Sequence, residues 1–325
     1  MNNKIYFFEV RETEKNSLLN DNFVLFDSTI NNVLKNISKI EKEKIEIISP
    51  FINSSITKDV LNELPNLKLI ATRSTGVNHI DIKECEKRNI TVKNVPSYGA
   101  TTVAQYTFGL ILCLTRNIMK ACEDVKSQNA DNEKYLGRDL NKLTLGVVGT
   151  GQIGTGVCKL AHAFGMKILA YDLFEKKDLK INYVPLETLI KNSDIITLHV
   201  PYKRENYHIF SKNEFNQMKN TAFLINTSRG ELVDVFALYE AIIENRIRGC
   251  ALDVIECEKI NFNSDFFLKT IGETSKECIK QAFIAQKMAE LPNVIITPHI
   301  AYNTSDAILE ILKITMDNIK DFNNK

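Results

Sequence analysis

The sequence has 325 residues, with 41 lysines and arginines against 40 aspartates and glutamates. A chain of this length exceeds the roughly 250–300 residues at which a single hydrophobic core usually stops growing, so two domains are expected. The formal net charge of +1 argues against a general binder of nucleic acid, because such a protein needs a basic surplus.

The apolar runs of the sequence are short. The first, at residues 5–8, is followed at once by Glu9 and Arg11, which is unlike a signal peptide. The longest, near residues 107–115, falls well short of the ~18 residues that a membrane-spanning helix needs. We therefore expect a soluble, cytoplasmic protein without a membrane partner.

The cysteines number 7, and no two of them form a Cys-x-x-Cys pair. An odd number of scattered cysteines is typical of free thiols in a reducing compartment. The sequence therefore predicts neither a disulfide framework nor a metal site.

Short apolar runs alternate with helical patterns along the chain, which is typical of α/β proteins with parallel sheets. In the first third, strands are predicted at residues 5–10, 45–49, 68–73 and 91–95, followed by one long buried helix at 101–119. A second series of strands is predicted at residues 143–149, 166–172, 194–200, 222–228, 249–254 and 293–299. Helices are predicted at 152–164, where Gly165 is the stop signal, and from 304 to the end. The polar stretches near 121–142 and 259–280 are expected to be connections or insertions, and residues 259–290 as a whole are expected to form a surface insertion.

A G-x-G-x-x-G motif lies between a predicted strand and a predicted helix, with its glycines at Gly149, Gly151 and Gly154. The motif alone is weak, but an acidic residue, Asp172, ends the next predicted strand about 20 residues further on, as dinucleotide-binding units require. The first glycine permits a tight turn, the second lets the backbone approach a pyrophosphate, and the third allows close packing of helix and strand. The helix N-terminus, at Gln152 and Ile153, offers N–H groups and a partial positive charge to the anion.

Asp172 also bears on the choice of cofactor. Its carboxylate would accept hydrogen bonds from the adenosine ribose hydroxyls and repel a 2′-phosphate, which favours NAD over NADP. Lys176 and Lys177 lie close in sequence and leave NADP open.

Three later segments carry ionisable groups directly after predicted strands. Arg229 follows the first of these strands, Glu256 and Glu258 follow the second, and His299 ends the third. Ligands of open parallel sheets bind outside the carboxyl ends of the strands, so these side chains are expected beside the dinucleotide site.

With these segments in place, the chain resembles the D-isomer-specific 2-hydroxyacid dehydrogenases, and most closely their D-lactate dehydrogenase branch. The markers occur in the family's order, at residues 72–77, 94–98, 149–154, 198–201, 226–230, 253–258 and 298–302. The resemblance implies an α/β fold of two Rossmann-like or flavodoxin-like domains with the active site in the cleft between them. It implies a discontinuous substrate-binding domain, at about 1–100 and 299–325, and an NAD-binding domain at about 101–298.

The resemblance implies that His299 is the catalytic acid and base, Glu258 its carboxylate partner and Arg229 the substrate anchor. The chemistry agrees, because a hydride transfer at C2 requires a proton to reach or leave the hydroxyl oxygen, and histidine can do both near neutral pH. A carboxylate on the other ring nitrogen fixes the tautomer, and arginine matches a carboxylate with its planar fork. Glu256 competes with Glu258 for the same role, and the family's spacing from Asp253 favours Glu258.

The resemblance also assigns residues to the substrate and to the cofactor. Around the substrate it implies Thr75, Gly76, Val77, Tyr98, Tyr302 and Phe51, although Phe51 fits a place in the core equally well. Beside the glycine turn and Asp172, it implies that the cofactor contacts His199, Val200, Pro201, Thr227, Ser228 and Asp253.

The sequence therefore predicts an NAD-dependent D-2-hydroxyacid dehydrogenase, most specifically a D-lactate dehydrogenase, and the resemblance adds a homodimer. Dehydrogenases for hydroxypyruvate or glyoxylate, for branched-chain acids and for phosphoglycerate are the enzymatic alternatives. Because the chain stops at Lys325, a regulatory C-terminal domain of the kind found in many phosphoglycerate enzymes is not expected. A phosphorylated substrate would also need a further cationic side chain in the pocket, and Arg73 is the obvious candidate. The alternative, that Arg73 faces away from the substrate, fits the sequence equally well. A nucleotide-sensing corepressor on the same fold is the alternative of another class, since fold does not fix function.

Overall fold

In the computed structural model of this protein, the chain divides into two units. The first unit comprises Met1–Tyr98 and Asn303–Lys325, and the second unit comprises Gly99–Tyr302. The sequence predicted the corresponding boundaries at residues 100 and 299. The structure describes residues 4–96, 99–176, 181–258, 272 and 274–324.

The strands are short, and most of their residues are buried. In chain order they are β1 (Ile5–Phe7), β2 (Phe23–Leu25), β3 (Ile47–Ser49), β4 (Leu69–Ala71), β5 (Thr91–Lys93), β6 (Thr144–Val148), β7 (Lys167–Tyr171), β8 (Asn182–Tyr183), β9 (Ile195–Leu198), β10 (Phe223–Asn226), β11 (Gly249–Leu252) and β12 (Val294–Ile296).

The helices connect these strands. In chain order they are α1 (Glu12–Lys15), α2 (Ile30–Val33), α3 (Lys39–Lys42), α4 (Lys58–Glu63), α5 (Ile82–Lys87), α6 (Ala100–Thr115), α7 (Ile118–Lys126), α8 (Gln152–Ala163), α9 (Leu186–Asn192), α10 (Lys212–Gln217), α11 (Val235–Ile243), α12 (Lys276–Ala289) and α13 (Ser305–Asn323). Within the described part of the chain, no helix is both long enough and apolar enough to cross a membrane.

The first unit has a five-stranded sheet in the order β2-β1-β3-β4-β5, and every pairing in it is parallel. This is the strand order of flavodoxin-like folds. β1, β3 and β4 are buried along their whole length, because apolar side chains cover both faces of the sheet. One of these faces is covered by α13, whose Leu312 and Ile319 pack with Ile5, Phe7 and Leu69.

The second unit has a seven-stranded parallel sheet in the order β12-β11-β10-β9-β6-β7-β8. Consecutive residues of its central strands belong to different cores, because side chains alternate between the faces of a strand. Val147 and Ile195 pack with α6 and α8 on one face. Val148 and Ile196 pack with α9, α10, α11 and α12 on the other. The order reverses between β6 and β9, and dinucleotides bind at such a reversal.

The predicted α/β class with parallel sheets is confirmed, and each of the ten predicted strands has a counterpart in the structure. Two short strands were not predicted. β2 is half-buried at the edge of its sheet, and β8 has only 2 residues, so neither carries enough apolar sequence to stand out. The predicted helix from residue 304 is confirmed as α13. The predicted stop at Gly165 is also confirmed, since Gly165 follows α8 with a left-handed φ of 68°.

The prediction of one continuous helix over 101–119 is wrong. α6 ends at Thr115, and Asn117 adopts a left-handed φ of 53° before α7 begins. Asparagine tolerates this conformation better than most residues, and such a turn redirects the chain. Residues 118–126, part of which was expected to be a connection, are therefore helical.

Two expectations about the region after Glu258 also need correction. Residues 276–289 are not a surface insertion, because α12 packs on α11 and buries Ala285 and Met288 in the core of the second unit. The cysteines are not all free thiols either, since Cys257 and Cys278 form a disulfide. The pairing was hidden in the sequence because the two cysteines are 21 residues apart. Part of the stretch predicted as an insertion, residues 259–271 and 273, lies outside the described residues.

Candidate active site

The turn after β6 has the backbone geometry that the glycine motif predicts. Gly149 has a left-handed φ of 94°, and a Cβ there would lie 2.7 Å from the Val200 side chain. A Cβ on Gly154 would lie 1.9 Å from the carbonyl oxygen of Gly149. A Cβ on Gly151 would meet no described atom within 4 Å, so the backbone at the start of α8 is open to a ligand. These features fit a pyrophosphate at the N-terminus of α8, beside Gln152 and Ile153.

Asp172 lies at the end of β7, beside this turn. Its carboxylate accepts hydrogen bonds from the backbone N–H of Thr150 at 2.6 Å, from the Thr150 hydroxyl at 3.0 Å and from the N–H of Phe174 at 2.9 Å. Burial raises the pKa of the Asp172 carboxyl, but the hydrogen bonds outweigh burial and hold the pKa below its ordinary value. An ionised carboxylate therefore stands where a dinucleotide ribose is expected. Lys176 donates to the Thr155 hydroxyl at 3.1 Å.

The segments after β9 and β10 are hydrogen-bonded to their neighbours. Nε2 of His199 lies 2.8 Å from the Thr197 hydroxyl, and burial lowers the pKa of His199 to about 3, so the ring is neutral. The Ser228 hydroxyl donates to the carbonyl of Val200 at 2.6 Å. The Thr227 hydroxyl lies 3.0 Å from the Thr107 hydroxyl of α6. Of the residues in these segments that the sequence predicts to contact the cofactor, Pro201 is exposed and Val200 is half-buried.

Asp253, which directly follows β11, is completely buried and holds the histidine segment. Its carboxylate accepts hydrogen bonds from the Thr297 hydroxyl at 2.6 Å, the N–H of Ile300 at 3.0 Å and the N–H of Ala301 at 2.9 Å. Its carbonyl accepts from the N–H of His299 at 2.9 Å. Burial raises the pKa of Asp253, and the three donors to its carboxylate oppose the rise. The family resemblance assigns Asp253 to the cofactor, which stays a prediction, and the structure adds that its side chain binds the backbone and the threonine around His299.

His299 and Glu258 meet at the carboxyl ends of neighbouring strands, β12 and β11. Nδ1 of His299 lies 2.8 Å from a carboxylate oxygen of Glu258. The side chains of His299 and Glu258 are 29% and 31% exposed, so both are accessible. The backbone at His299 is held in place by its hydrogen bonds to the buried Asp253. The ring of Tyr302 stands edge-on to the His299 ring, with centroids 6.2 Å apart.

Arg229 follows β10, the next strand of the same sheet. It donates to the carbonyl of Ser228 at 2.6 Å, and its own carbonyl accepts from the Asn226 side chain at 2.8 Å. The next residue must be glycine, because a Cβ on Gly230 would lie 2.1 Å from the backbone of Ile255. This close approach packs the arginine segment directly against the segment that carries the glutamates.

The two competing glutamates have different partners. Glu258 is paired with His299, whereas Glu256 lies 3.0 Å from Nε2 of His208 and accepts a hydrogen bond from the Gln281 side chain. Burial and the neighbouring Glu256 raise the pKa of Tyr207 to about 12. Sequence reasoning missed this second cluster. His208 follows no predicted strand, and Gln281 lies in a stretch without an evident motif.

In the first unit, the loop after β4 carries the predicted substrate residues. Thr75 is exposed, and Gly76 and Val77 are half-buried. The Thr75 hydroxyl donates to the Val95 carbonyl at 2.8 Å, and the Asn94 side chain donates to the Thr75 carbonyl at 2.7 Å. Both bonds hold the loop at Thr75 to the segment after β5. Tyr98 lies outside the described residues.

Phe51 lies close to two cations of the first unit. The guanidinium carbons of Arg11 and Arg73 are 5.5 Å and 5.7 Å from the centre of its ring. Arg73 is only 1% exposed, donates to Glu14 at 2.8 Å and also donates to the carbonyl of Phe8. Its charge is therefore balanced inside the unit.

Among the described residues, no group of histidine, cysteine, aspartate and glutamate side chains could hold a metal ion. The residues that come together at the strand ends instead suit proton transfer and anion binding next to a dinucleotide.

Comparisons with known proteins point to the same chemistry. The family model of the D-isomer specific 2-hydroxyacid dehydrogenase NAD-binding domain matches residues 108–301. A D-specific alpha-keto acid dehydrogenase of Enterococcus faecium is 39% identical over 282 residues, which are 86% of this chain and 84% of that protein. An aromatic 2-oxoacid reductase of Clostridium sporogenes is 37% identical over 283 residues, 86% of this chain and 83% of that protein. The crystal structure of a D-lactate dehydrogenase from Aquifex aeolicus, complexed with NAD and lactic acid, matches with a TM-score of 0.85 and 36% identity, covering 99% of this chain and 96% of that chain.

Proposed function

This chain belongs to the D-isomer-specific 2-hydroxyacid dehydrogenase family, and we propose that within the family it is a D-lactate dehydrogenase that interconverts pyruvate and D-lactate. Membership already makes it an NAD-dependent oxidoreductase of 2-hydroxy and 2-keto acids. The choice of D-lactate is supported by 36% identity, over 99% of this chain, to an enzyme solved with NAD and lactic acid.

One observation carries the catalytic assignment, namely the 2.8 Å contact between Nδ1 of His299 and Glu258. A histidine whose Nδ1 is held by a carboxylate has its Nε2 free to point elsewhere, with its tautomer fixed. This is the arrangement that a reversible proton donor needs. A corepressor would not need it, so the pair favours an enzyme over a nucleotide sensor.

The proposed mechanism divides the work among three side chains. When bound, NAD in its reduced form supplies the hydride that reaches C2 of the keto acid. His299 donates a proton to the developing alkoxide and takes it back in the reverse direction. Glu258 stabilises the positive charge of the ring in its protonated state. Arg229 binds the substrate carboxylate and polarises the keto oxygen.

The substrate carboxylate is further assigned to the backbone N–H groups of Thr75, Gly76 and Val77, and to Tyr98. Phe51 and Tyr302 are the proposed apolar walls beyond C2. Because Arg73 is paired with Glu14, it is a poor candidate for a second anionic group on the substrate. The proposed pocket therefore suits a substrate with a small, uncharged substituent beyond C2 better than a phosphorylated substrate. The homodimer remains a proposal from the family resemblance.

A second candidate has a specific observation in its favour. The Clostridium sporogenes relative, 37% identical, is an aromatic 2-oxoacid reductase. Its reaction would use the same His299, Glu258 and Arg229, and would differ only in the space beyond C2. Substrate size, rather than mechanism, therefore separates the two candidates.

The first prediction concerns the cofactor. We expect NADH to be strongly preferred to NADPH, because the ionised Asp172 repels a 2′-phosphate. Asp172→Ala should raise the KM for NADH by about 10–100-fold, which corresponds to the free energy of hydrogen bonds to a charged group. The same substitution should raise the KM for NADPH much less. The exposed Glu175, in the same loop, gives the matched control Glu175→Ala, for which neither KM should change. Equal catalytic efficiency of the unaltered protein with both cofactors would contradict the assignment.

The second prediction concerns the proton. If His299 must be protonated to reduce the keto acid, kcat/KM for pyruvate reduction should fall as pH rises. Glu258→Gln should move that fall to lower pH, because the protonated ring loses its anionic partner. His299→Ala should lower kcat by about 10²–10⁴-fold. Both effects are read from pH–rate profiles.

The control for the second prediction is Glu187→Gln, which removes an exposed carboxylate paired with Lys191 on α9. Its pH–rate profile should match that of the unaltered protein. An unshifted profile in Glu258→Gln, or near-normal turnover in His299→Ala, would refute the acid–base assignment.

The third prediction concerns the preferred substrate and the stereochemistry of the product. Among pyruvate, 2-ketobutyrate, hydroxypyruvate and phenylpyruvate, we expect the highest kcat/KM for pyruvate. Apolar walls discriminate by only about 1–3 kcal/mol per methylene, so 2-ketobutyrate should still react. Chiral chromatography should show D-lactate as the product. A higher kcat/KM for phenylpyruvate would replace the lactate proposal with the aromatic one, and predominant L-lactate would overturn the assignment of hand.

A further inference from the structure

The segment that carries Glu258 is fastened to α12 by a disulfide. Cys257 immediately precedes Glu258, has a left-handed φ of 56° and is bonded to Cys278 with a Cα–Cα distance of 5.6 Å. Cys278 lies in the first turn of α12, where its N–H donates to the Ser275 hydroxyl at 3.1 Å. The covalent bond therefore joins the residue next to the proposed catalytic carboxylate to a capped helix end.

A second tie joins the same segment to the same helix. Gln281, one turn after Cys278, donates to the carboxylate of Glu256. The other oxygen of Glu256 lies 3.0 Å from His208. Because residues three apart lie on the same side of a helix, both ties hold one face of α12. The two residues before Glu258 are thus both attached to that face.

α12 is itself held in place, because one of its faces packs into the core of the second unit. Gln281 is 6% exposed, Ala282 and Ala285 are each 5% exposed, and Met288 is fully buried against the core of the second unit. Side chains packed in such a core have little freedom to move. The Glu258 side chain, by contrast, is 31% exposed, so its position depends on the backbone that carries it.

We propose that the Cys257–Cys278 disulfide is a redox-responsive positioning bond that keeps Glu258 directed at His299. A dithiol reductant gives two electrons and two protons to the disulfide, which becomes two thiols, while the reductant becomes a disulfide itself. Once the S–S bond is broken, residues 256–258 gain freedom and Glu258 spends less time in contact with His299. The inference rests on the proposed catalytic role of this pair.

Reduction should leave the fold intact. Oε1 of Gln281 lies 3.3 Å from Sγ of Cys257, so a Cys257 thiol can donate a hydrogen bond there. The bond between Gln281 and Glu256 does not involve the disulfide. The effect of reduction is therefore a partial loss of positioning.

The two cysteines are also accessible, since both are half-buried. Of the remaining cysteines, Cys85, Cys158 and Cys250 are buried, Cys113 is half-buried and Cys122 is exposed. Burial raises the pKa of the Cys85 and Cys158 thiols to about 11, and thiols with so little thiolate exchange slowly. Cys122, an exposed cysteine on α7, provides the matched control.

The experiment compares the full-length protein after oxidation by oxidised glutathione, after reduction by dithiothreitol and after reoxidation. Thiol labelling with mass spectrometry should find two additional thiols per chain on reduction, at Cys257 and Cys278. Reduction should lower kcat for pyruvate by roughly 3–10-fold, because small displacements of a catalytic group are costly, with KM little changed. In the reduced protein, the fall of the rate with rising pH should move to lower pH. Reoxidation should restore both kcat and the original pH–rate profile.

Cys278→Ser should reproduce the reduced state and no longer respond to dithiothreitol. Cys122→Ser should keep the kcat of the unaltered protein and respond fully. Thermal unfolding of the reduced protein checks that the fold persists at the assay temperature.

Two results would overturn the proposal. One is that Cys257 and Cys278 stay unpaired under oxidising conditions. The other is that reduction leaves both kcat and the pH–rate profile unchanged while Glu258→Gln alters them. If Glu258→Gln itself leaves the profile unchanged, the proposed acid–base role fails, which is a separate outcome.

Discussion

The buried carboxylate of Asp253 receives three hydrogen bonds from one short segment, Thr297–Ala301, and the site of the second unit is organised around it. A buried charge is costly unless it is fully hydrogen-bonded, and satisfying this one requires the histidine segment to curl around it. His299 adopts a left-handed φ of 53° within that curl. Few residues take this conformation without support from their surroundings, and here the support comes from Asp253 and from its carbonyl, which accepts from the His299 N–H.

The other parts of the site are built outward from the same strand end. Gly230 lets the segment of Arg229 approach the backbone of Ile255, two residues beyond Asp253. The disulfide and the bond between Glu256 and Gln281 then fix the residues just before Glu258. Asp253 and Gln281, which hold this backbone, are buried, whereas the His299 and Glu258 side chains remain about one third exposed. This division suits the proposed catalytic roles of His299 and Glu258, because reactive groups must meet substrate while their positions are already fixed.

The sequence predicted most of the sheet and the local motifs, because strand-length apolar runs and glycine spacing are local signals. It could not predict the break at Asn117, since the apolar pattern continues through it and only the backbone conformation changes. It left Glu256 and Glu258 in competition, because which carboxylate reaches His299 depends on how a turn is tied to a distant helix. The disulfide was missed for the same reason. Composition describes how many cysteines there are but not which two meet.

The role of Asp253 also shows where a motif is ambiguous. The family resemblance predicts that Asp253 contacts the cofactor, and the structure adds that its side chain binds the histidine segment. Contacting a cofactor and positioning the backbone beside it are distinct roles, and the hydrogen bonds of Asp253 support the second. This distinction has a measurable consequence, because a positioning residue affects turnover more than cofactor affinity.

The most direct measurement is therefore kcat for pyruvate reduction by Asp253→Asn, taken together with the Kd for NADH from a fluorescence titration. An amide keeps one oxygen but cannot accept from all three donors, so the turn at His299 should loosen. We predict that kcat falls by about 10²-fold or more, because displaced catalytic groups are costly, while the Kd for NADH changes little. A variant that keeps its kcat, or loses NADH affinity by a comparable factor with kcat unchanged, would contradict the account.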